Sequence, residues 1–119
     1  MRIRLIAAAG PAEGRTFEFD EPDVFVFGRG ADAHCRIPND VTISRNHFVV
    51  RVNPPDCYVV DLGSSNGTLV NGERYGGKKG TQGRRVGDSH QMVPLGDGDE
   101  IVAGKSRYAG RCCSWGATS

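Results

Sequence analysis

The chain has 119 residues, which is enough for one domain around a single hydrophobic core. Its hydrophobic share of 38% and charged share of 24% are ordinary for a soluble globular protein. The net charge of +1 provides no overall field that would favour nucleic acid or a membrane surface as partner. No segment approaches the roughly 20 consecutive apolar residues of a membrane-spanning helix.

The first ten residues, MRIRLIAAAG, share the basic start and the small residues of a secretion signal. The apolar stretch from Leu5 to Ala9 is shorter than the roughly 7–15 residues that such a signal needs. Arginines alternate with Ile3 and Leu5, which favours a first β-strand instead. We therefore expect a protein without an export signal.

The four cysteines have no spacing typical of a metal site; they are Cys35, Cys57, Cys112 and Cys113. Adjacent cysteines rarely pair with each other, because disulfide geometry strains the ring that they would close. Without an export signal, reduced thiols are expected. We therefore predict a cytoplasmic location and no bound metal or other cofactor.

Short alternating or apolar runs recur along the chain. They are RIRLIA (2–7), RTFEFD (15–20), DVFVFG (23–28), HCRI (34–37), HFVVRVN (47–53), CYVVDLG (57–63), TLVNG (68–72), DEIVAG (99–104) and SRYAGRCC (106–113). Turn signals rich in Gly, Pro, Asn and Asp separate them, and no window shows the apolar stripe of a helix. This pattern predicts an all-β sandwich.

The alternation also predicts which residues share a face of their strand. Phe17 and Phe19 share one face, and Tyr58, Val60 and Leu62 are grouped on another. The run at 23–28 has four successive apolar residues, as in a strand that is covered on both sides.

One segment, residues 73–91, departs from this rhythm. It contains five glycines, five basic residues and little apolar sequence. Loops of this length inside a compact domain are usually functional or mobile. We interpret it as an insertion in a hairpin, because strand pattern resumes at Met92. A mobile solvated loop is one interpretation of its role, and selection of acidic residues in a ligand is the other.

Two glycine-rich stretches resemble nucleotide-binding motifs. Gly28-x-Gly30-x-x-Ala33 fits a dinucleotide fingerprint, but that fingerprint requires a following helix, and Pro38 interrupts a stretch without helical pattern. Residues 72–79 nearly match a phosphate-binding P-loop, but Lys79 stands where the metal-binding hydroxyl is needed. A nucleotide-binding enzyme is therefore the weakest of the alternatives.

The stretch TISRNHF, residues 42–48, places Ser44, Arg45 and His47 just before a predicted strand. A hydroxyl beside a guanidinium suits a doubly charged phosphate, because charge-assisted hydrogen bonds are the strong ones. A catalytic Ser–His pair is the rival interpretation. It lacks an acidic residue placed to orient the imidazole.

A third stretch, DLGSSNGTLVNG at 61–72, ends a strand and enters a tight Asn66-Gly67 turn. A plain hairpin turn is the simplest interpretation. The side-chain amide of Asn66 would also suit the backbone of a bound peptide.

Together these three stretches resemble the forkhead-associated (FHA) domain family. The carrying motifs are Gly28-Arg29, Ser44-Arg45-x-His47, residues 61–68 and Val70-Asn71-Gly72, in this order. The resemblance covers roughly residues 1–113 and leaves 114–119 as a tail. It implies one β-sandwich domain of about eleven strands that binds phosphothreonine peptides through loops at one end.

The resemblance also implies roles for single residues. Arg29 would contact the phosphate, Ser44 would donate its hydroxyl to it, and Arg45 would add a second basic contact. Ser65 would lie beside the phosphothreonine, and Asn66 would hold the peptide main chain. Thr42 falls in the loop that reads residues after the phosphothreonine; Gly28, His47 and Gly67 hold architectural positions.

We expect a binding module without catalysis. Its partner would be a phosphothreonine-containing protein or peptide, with a Ser/Thr kinase or its substrate as candidates. We expect neither nucleic acid nor a membrane as partner, and a monomeric state. The alternative is an interaction module of the same fold that does not depend on phosphate.

Overall fold

A computed structural model describes residues 2–10, 13–19, 22–37, 40–53, 56–77 and 85–113. These residues form twelve strands and no helix. The strands are β1 (Arg2–Ala9), β2 (Thr16–Phe19), β3 (Asp23–Gly28), β4 (Cys35–Arg36), β5 (Phe48–Asn53), β6 (Asp56–Asp61), β7 (Thr68–Val70), β8 (Glu73–Tyr75), β9 (Arg85–Gly87), β10 (Val93–Pro94), β11 (Glu100–Ala103) and β12 (Ser106–Cys113). The all-β prediction is confirmed.

The strands form two sheets. The first has the order β2-β1-β12-β11-β7-β8-β9, and the second has the order β10-β6-β5-β3-β4. All neighbours are antiparallel except the pairs β3–β4 and β8–β9, which are parallel. The sheets enclose one core, as expected for a chain whose strands each bury one face.

Aromatic rings fill the centre of this core. Phe27 from β3 stacks on Phe48 from β5, with ring centroids 4.6 Å apart. Phe17 and Tyr108 from the other sheet meet Phe27 edge-on at 5.1 and 5.9 Å. Such pairs stabilise by about 0.5–1.5 kcal/mol beyond the burial of their area. The prediction that Phe17 and Phe19 share a buried face is confirmed.

One expectation about faces was wrong. Only the end of β3 is fully buried, and Val24 at its start is 39% exposed, because the outer side of this sheet faces solvent there. On β6 the alternation holds: Cys57 and Val59 belong to the core between the sheets, and Tyr58 and Val60 lie on the other side of the strand.

The segment at 73–91 contains two short strands that its sequence does not indicate. β8 and β9 lie within it and extend the first sheet beyond β7. Strands of three residues are too short to show a period of two. Lys78, Lys79 and Arg84 lie outside the described residues.

The buried cysteines are core residues. Cys35 and Cys57 are free thiols, and burial raises the pKa of Cys35 to about 12. A thiol that stays protonated is a weak nucleophile and behaves as a small apolar side chain.

Strand register brings three loops to one end of the sandwich. Phe27 at the end of β3 lies opposite Phe48 at the start of β5, and Phe48 lies opposite Asp61 at the end of β6. The loops that follow β3, precede β5 and follow β6 therefore leave the sheets side by side. They carry the motifs singled out in the sequence.

Candidate functional site

Main-chain hydrogen bonds fix the first two loops to each other. The N–H groups of Arg29 and Gly30 donate to the carbonyls of Ser44 and Arg45, both at 3.0 Å. The His47 N–H donates to the Phe27 carbonyl at 2.9 Å. The first two residues after β3 are thereby paired with the residues that lie just before β5.

This pairing explains the glycine at position 28. A Cβ atom placed there would lie 2.0 Å from the Arg45 carbonyl oxygen, far inside contact distance. Gly28 therefore permits the close approach of two backbones that positions Arg29. The adjacent side chain of Arg29 is exposed, and its Nε donates to the Ile43 carbonyl at 3.2 Å.

His47 is fully buried beneath the loops and links two of them through its ring nitrogens. Its Nδ1 accepts from the Ser44 N–H at 3.1 Å, and its Nε2 lies 2.7 Å from the Gly67 carbonyl oxygen. These two partners require the neutral imidazole with its proton on Nε2. Burial lowers the pKa of His47, although the Gly67 carbonyl and nearby carboxylates oppose this effect. Neither ring nitrogen is available to activate the Ser44 hydroxyl.

Gly67 has a second constraint besides its bond to His47. Its φ of 81° lies in the left-handed region, which glycine adopts without strain. A Cβ atom there would also lie 3.0 Å from the side chain of Arg74 and from the Gly76 carbonyl oxygen. The residue thus permits both the turn and the close packing of the neighbouring segment.

Asp61 holds the loop after β6, and its side chain is buried. One carboxylate oxygen accepts from the N–H groups of Gly63 and Ser64 and from the Ser89 hydroxyl, at 3.0, 3.2 and 2.8 Å. The other accepts from the hydroxyls of Ser64 and Thr68. Five donors on one carboxylate determine the path of this loop and attach it to the chain before β10.

Asp40 plays a similar part in the loop before β5. Its carboxylate accepts from the N–H of Thr42 at 2.9 Å, from the Thr42 hydroxyl and from the N–H of Lys105 at 2.8 Å. Burial, the largest single effect, raises the pKa of Asp40. The bonds from Thr42 and Lys105 and the charge of Lys105 outweigh it and lower the pKa. The ionised carboxylate anchors the loop to the turn after β11.

The remaining motif residues face outward on this framework. The Ser44 hydroxyl oxygen accepts from the Ser65 N–H at 3.1 Å, which leaves its proton free to donate. The Asn66 amide donates to the Thr42 carbonyl at 2.8 Å and keeps its oxygen available. Arg29, Arg45 and Ser65 are exposed. The structure thus brings all six predicted ligand-side residues to adjoining loops.

Sequence reasoning missed the buried carboxylates. Asp61 and Asp40 bind main-chain and hydroxyl donors that are distant in sequence, such as Ser89 and Lys105. A signal was available for Asp61 alone: it is an acidic residue at the end of an apolar strand, where an unpaired charge would be costly.

The basic residues of 73–91 do not act as one group. Arg74 is 5% exposed, and its Nη1 donates to the Gly76 carbonyl at 2.6 Å. The expectation that Arg74 could select acidic residues in a ligand was therefore wrong. Its aliphatic stem packs against Gly67, and its guanidinium lies beside Gly77.

The described residues contain no group of His, Cys, Asp and Glu side chains that could hold a metal ion. Nor do they include a helix with the length and apolar character needed to cross a membrane.

Comparison with known proteins identifies the class. The FHA domain family matches residues 25–104, and the chain belongs to this family. It is 36% identical over 103 residues to the oxoglutarate dehydrogenase inhibitor of Corynebacterium efficiens, covering 87% of this chain and 61% of the relative. It is equally similar to the glycogen accumulation regulator GarA of Mycolicibacterium smegmatis, covering 54% of that protein.

Solved structures give the same result. An FHA domain from a study of phosphothreonine-dependent FHA interactions is 31% identical, with a TM-score of 0.72 and coverage of 95% of this chain and 98% of that one. The FHA domain of an Arabidopsis thaliana protein is 28% identical, with a TM-score of 0.76 and coverage of 99% and 91%. The chain spans a little over half the length of the curated relatives it matches.

Proposed function

We propose that this protein binds phosphothreonine peptides and thereby mediates phosphorylation-dependent protein–protein interactions in signalling. The observation that carries the proposal is the placement of Arg29, Ser44, Arg45, Ser65 and Asn66 on three loops that are hydrogen-bonded to one another. A solved FHA domain at 31% identity comes from a study of phosphothreonine-dependent interactions.

In this proposal the phosphate lies between Arg29, Ser44 and Arg45. A phosphate monoester carries about −1.5 to −2 charges, and two guanidinium groups and a hydroxyl donor match it. Three charge-assisted bonds of roughly 1.5–3 kcal/mol each give a gross gain of about 5–9 kcal/mol. Ordering a flexible peptide offsets part of this gain, and main-chain bonds through Asn66 add to it. We expect a dissociation constant near the micromolar range, which corresponds to a binding free energy of about −8 kcal/mol.

The proposed role of the protein is recognition without catalysis. The relatives named above are called an inhibitor and a regulator, which supports a regulatory role. Both ring nitrogens of His47 are bonded to main-chain groups, so His47 does not serve Ser44 as a general base. A cytoplasmic location and a monomeric state remain proposals, as does a Ser/Thr kinase or its substrate as partner.

The decisive experiment compares one peptide in three forms, with phosphothreonine, phosphoserine or unmodified threonine, by isothermal titration calorimetry. We expect micromolar binding of the phosphothreonine form and no measurable binding of the unmodified form. Loss of the threonine methyl should weaken binding by about 1–3 kcal/mol. Equal binding of the unmodified peptide would instead favour the phosphate-independent interaction module.

A further inference from the structure

Three arginines beside the loops are held in series by main-chain carbonyls. Arg15 donates from Nη1 to the Arg36 carbonyl at 2.6 Å, and Arg36 donates from Nε to the Arg29 carbonyl at 3.4 Å. Arg29 in turn donates from Nε to the Ile43 carbonyl at 3.2 Å. Each guanidinium is oriented by one bond and keeps further N–H donors for another partner.

The series begins at the proposed phosphate site and continues along the open side of the sandwich. Arg36 ends β4, the edge strand of the second sheet, and lies opposite Gly28 in the register with β3. Neighbouring strands are about 4.8 Å apart, so the main chain of Arg36 is one strand spacing from the start of the Arg29 loop. Arg15 precedes β2, the edge strand of the first sheet, and its side chain crosses to β4.

The charges of these arginines are not compensated by neighbouring residues. Arg15, Arg29 and Arg36 are exposed, and none has an ion-pair partner within the described part of the chain. Elsewhere on the surface, Arg4 pairs with Glu18 and Arg107 pairs with Glu100. An anion bound at Arg15 and Arg36 would therefore displace no carboxylate of the described residues from an ion pair.

A second contact orients Arg15. Its guanidinium carbon lies 4.8 Å above the centre of the Phe17 ring, in addition to its bond to the Arg36 carbonyl. Cation–π contact and a carbonyl bond together restrict a side chain that otherwise loses considerable rotamer entropy on binding. The residue is thus partly preorganised.

We propose that Arg36 and Arg15 form a second anion subsite, which binds an acidic side chain of the same phosphothreonine peptide. The inference rests on the proposed function. The bound group is a carboxylate or a second phosphate, since a guanidinium donates to either in the same way. A peptide in extended form advances about 3.3 Å per residue, so the acidic side chain belongs a few residues from the phosphothreonine.

A peptide ligand accounts for the arrangement better than a nucleic acid. Arg36 is hydrogen-bonded to the carbonyl of Arg29, the residue proposed to bind the phosphothreonine, so the subsite adjoins the phosphate site. The chain as a whole has a net charge of only +1, whereas non-specific nucleic-acid binding depends on neutralising many phosphates.

The experiment measures the ratio of dissociation constants for a neutral-flank phosphothreonine peptide and its acidic versions. In one set an Asp is moved along the positions on either side of the phosphothreonine. In a second set a further phosphothreonine takes the place of that Asp. The proteins are the wild type, Arg36→Gln, Arg15→Gln, the double variant and the control Arg51→Gln, an exposed arginine on the outer face of β5.

We expect wild type and Arg51→Gln to prefer one acidic position by several-fold. Each single substitution should reduce this preference by about two- to five-fold, and high salt should reduce it in the wild type. A larger gain from the second phosphothreonine than from Asp would identify phosphate as the preferred anion. Both results support the subsite.

Several outcomes would overturn it. The subsite is wrong if the wild type binds the neutral-flank peptide but prefers no acidic position, or if the double variant keeps the full preference. Tighter binding of a single-stranded oligonucleotide through Arg36 and Arg15 would assign these residues to nucleic acid instead. Failure of the wild type to bind any phosphothreonine peptide would refute the proposed function itself, and the subsite with it.

Discussion

Two buried regions of the molecule meet at Phe48 and His47, which are neighbours in the chain, and different forces hold them together. Between the sheets, aromatic rings from β2, β3, β5 and β12 pack against one another. Beneath the loops, His47, Asp61 and Asp40 bind donors and acceptors of the main chain. Apolar packing is non-directional, whereas each hydrogen bond requires one partner in one place.

Stability and recognition therefore depend on different residues. Loss of a ring should weaken the fold and leave the shape of the loops unchanged in molecules that remain folded. Loss of a buried polar side chain should change the path of a loop and therefore also the affinity for ligand. The following substitutions test this separation, beginning with the largest expected effect.

Phe19→Ala should lower the free energy of unfolding by about 3–5 kcal/mol. Phe19 is buried, its ring stacks on Phe25 with centroids 4.2 Å apart, and its apolar side chain makes no hydrogen bond to the loops. Urea denaturation measures the loss, and Phe19→Leu should restore much of it. Phosphopeptide affinity of the folded fraction should be unchanged; a tenfold loss of affinity would show that the two regions are not separable.

Asp61→Ala should lower the free energy of unfolding by about 3 kcal/mol, because the buried donors of Ser64 and Thr68 lose their acceptor at roughly 1–3 kcal/mol each, whereas Gly63 is exposed and can bind water. It should also weaken phosphopeptide binding, since Ser64 and Gly63 lose the group that fixes the loop before Ser65. Calorimetry and urea denaturation measure the two effects. Asp61→Asn is the matched control: its amide can face the hydroxyls of Ser64 and Thr68, which can rotate to accept. Unchanged affinity in Asp61→Ala would refute the role given to this carboxylate.

Gly28→Ala should cost about 1–3 kcal/mol of stability, because the added methyl group must displace the Arg45 carbonyl. The displaced backbone carries Arg29 and Arg45, so affinity should fall as well. Gly96→Ala is the matched control, because Gly96, like Gly28, has no left-handed φ and its added Cβ would meet only the Asp99 carboxylate at an ordinary contact distance of 3.6 Å. Equal affinities in the two variants would contradict the close-approach argument.

Acidification should have the smallest effect, in two separate pH ranges. Burial lowers the pKa of His47 below its ordinary value of 6.5, so its stabilising contribution is complete above 6.5 and is lost as the pH falls towards the folded-state pKa. Asp40 has a pKa below its ordinary value of 3.8, so its contribution is lost only below about that pH. Urea denaturation across the pH range measures both losses. In His47→Gln the free energy of unfolding should no longer depend on pH in the first range, and its dependence in the second range should remain. A wild type whose free energy of unfolding is constant across the first range would contradict the neutral imidazole.

The sequence predicted the fold and the outward-facing residues, for identifiable reasons. Phe17 and Phe19 alternate with exposed residues, and a period of two is visible in any strand of sufficient length. Arg29, Ser44 and Asn66 were predicted as ligand residues because they stand in motifs whose order and spacing are typical of the family.

The remainder depends on contacts distant in sequence. β8 and β9 have three residues each, and they form strands because β7 offers an edge to β8 and β8 offers one to β9. Arg74 was expected to face solvent with the other basic residues, but its burial follows from the fold of Gly76 and Gly77 over it. The Asp61–Ser89 bond spans 28 positions in the chain, so no local pattern indicates it.

The central claim is that Arg29, presented on loops held from below, binds the phosphate of a phosphothreonine peptide. The most direct measurement titrates one such peptide into wild type, Arg29→Ala and Arg51→Ala by calorimetry. Arg29→Ala should lose about 2–5 kcal/mol of binding free energy, whereas Arg51→Ala should bind as the wild type does. Wild-type affinity in a folded Arg29→Ala would contradict the account.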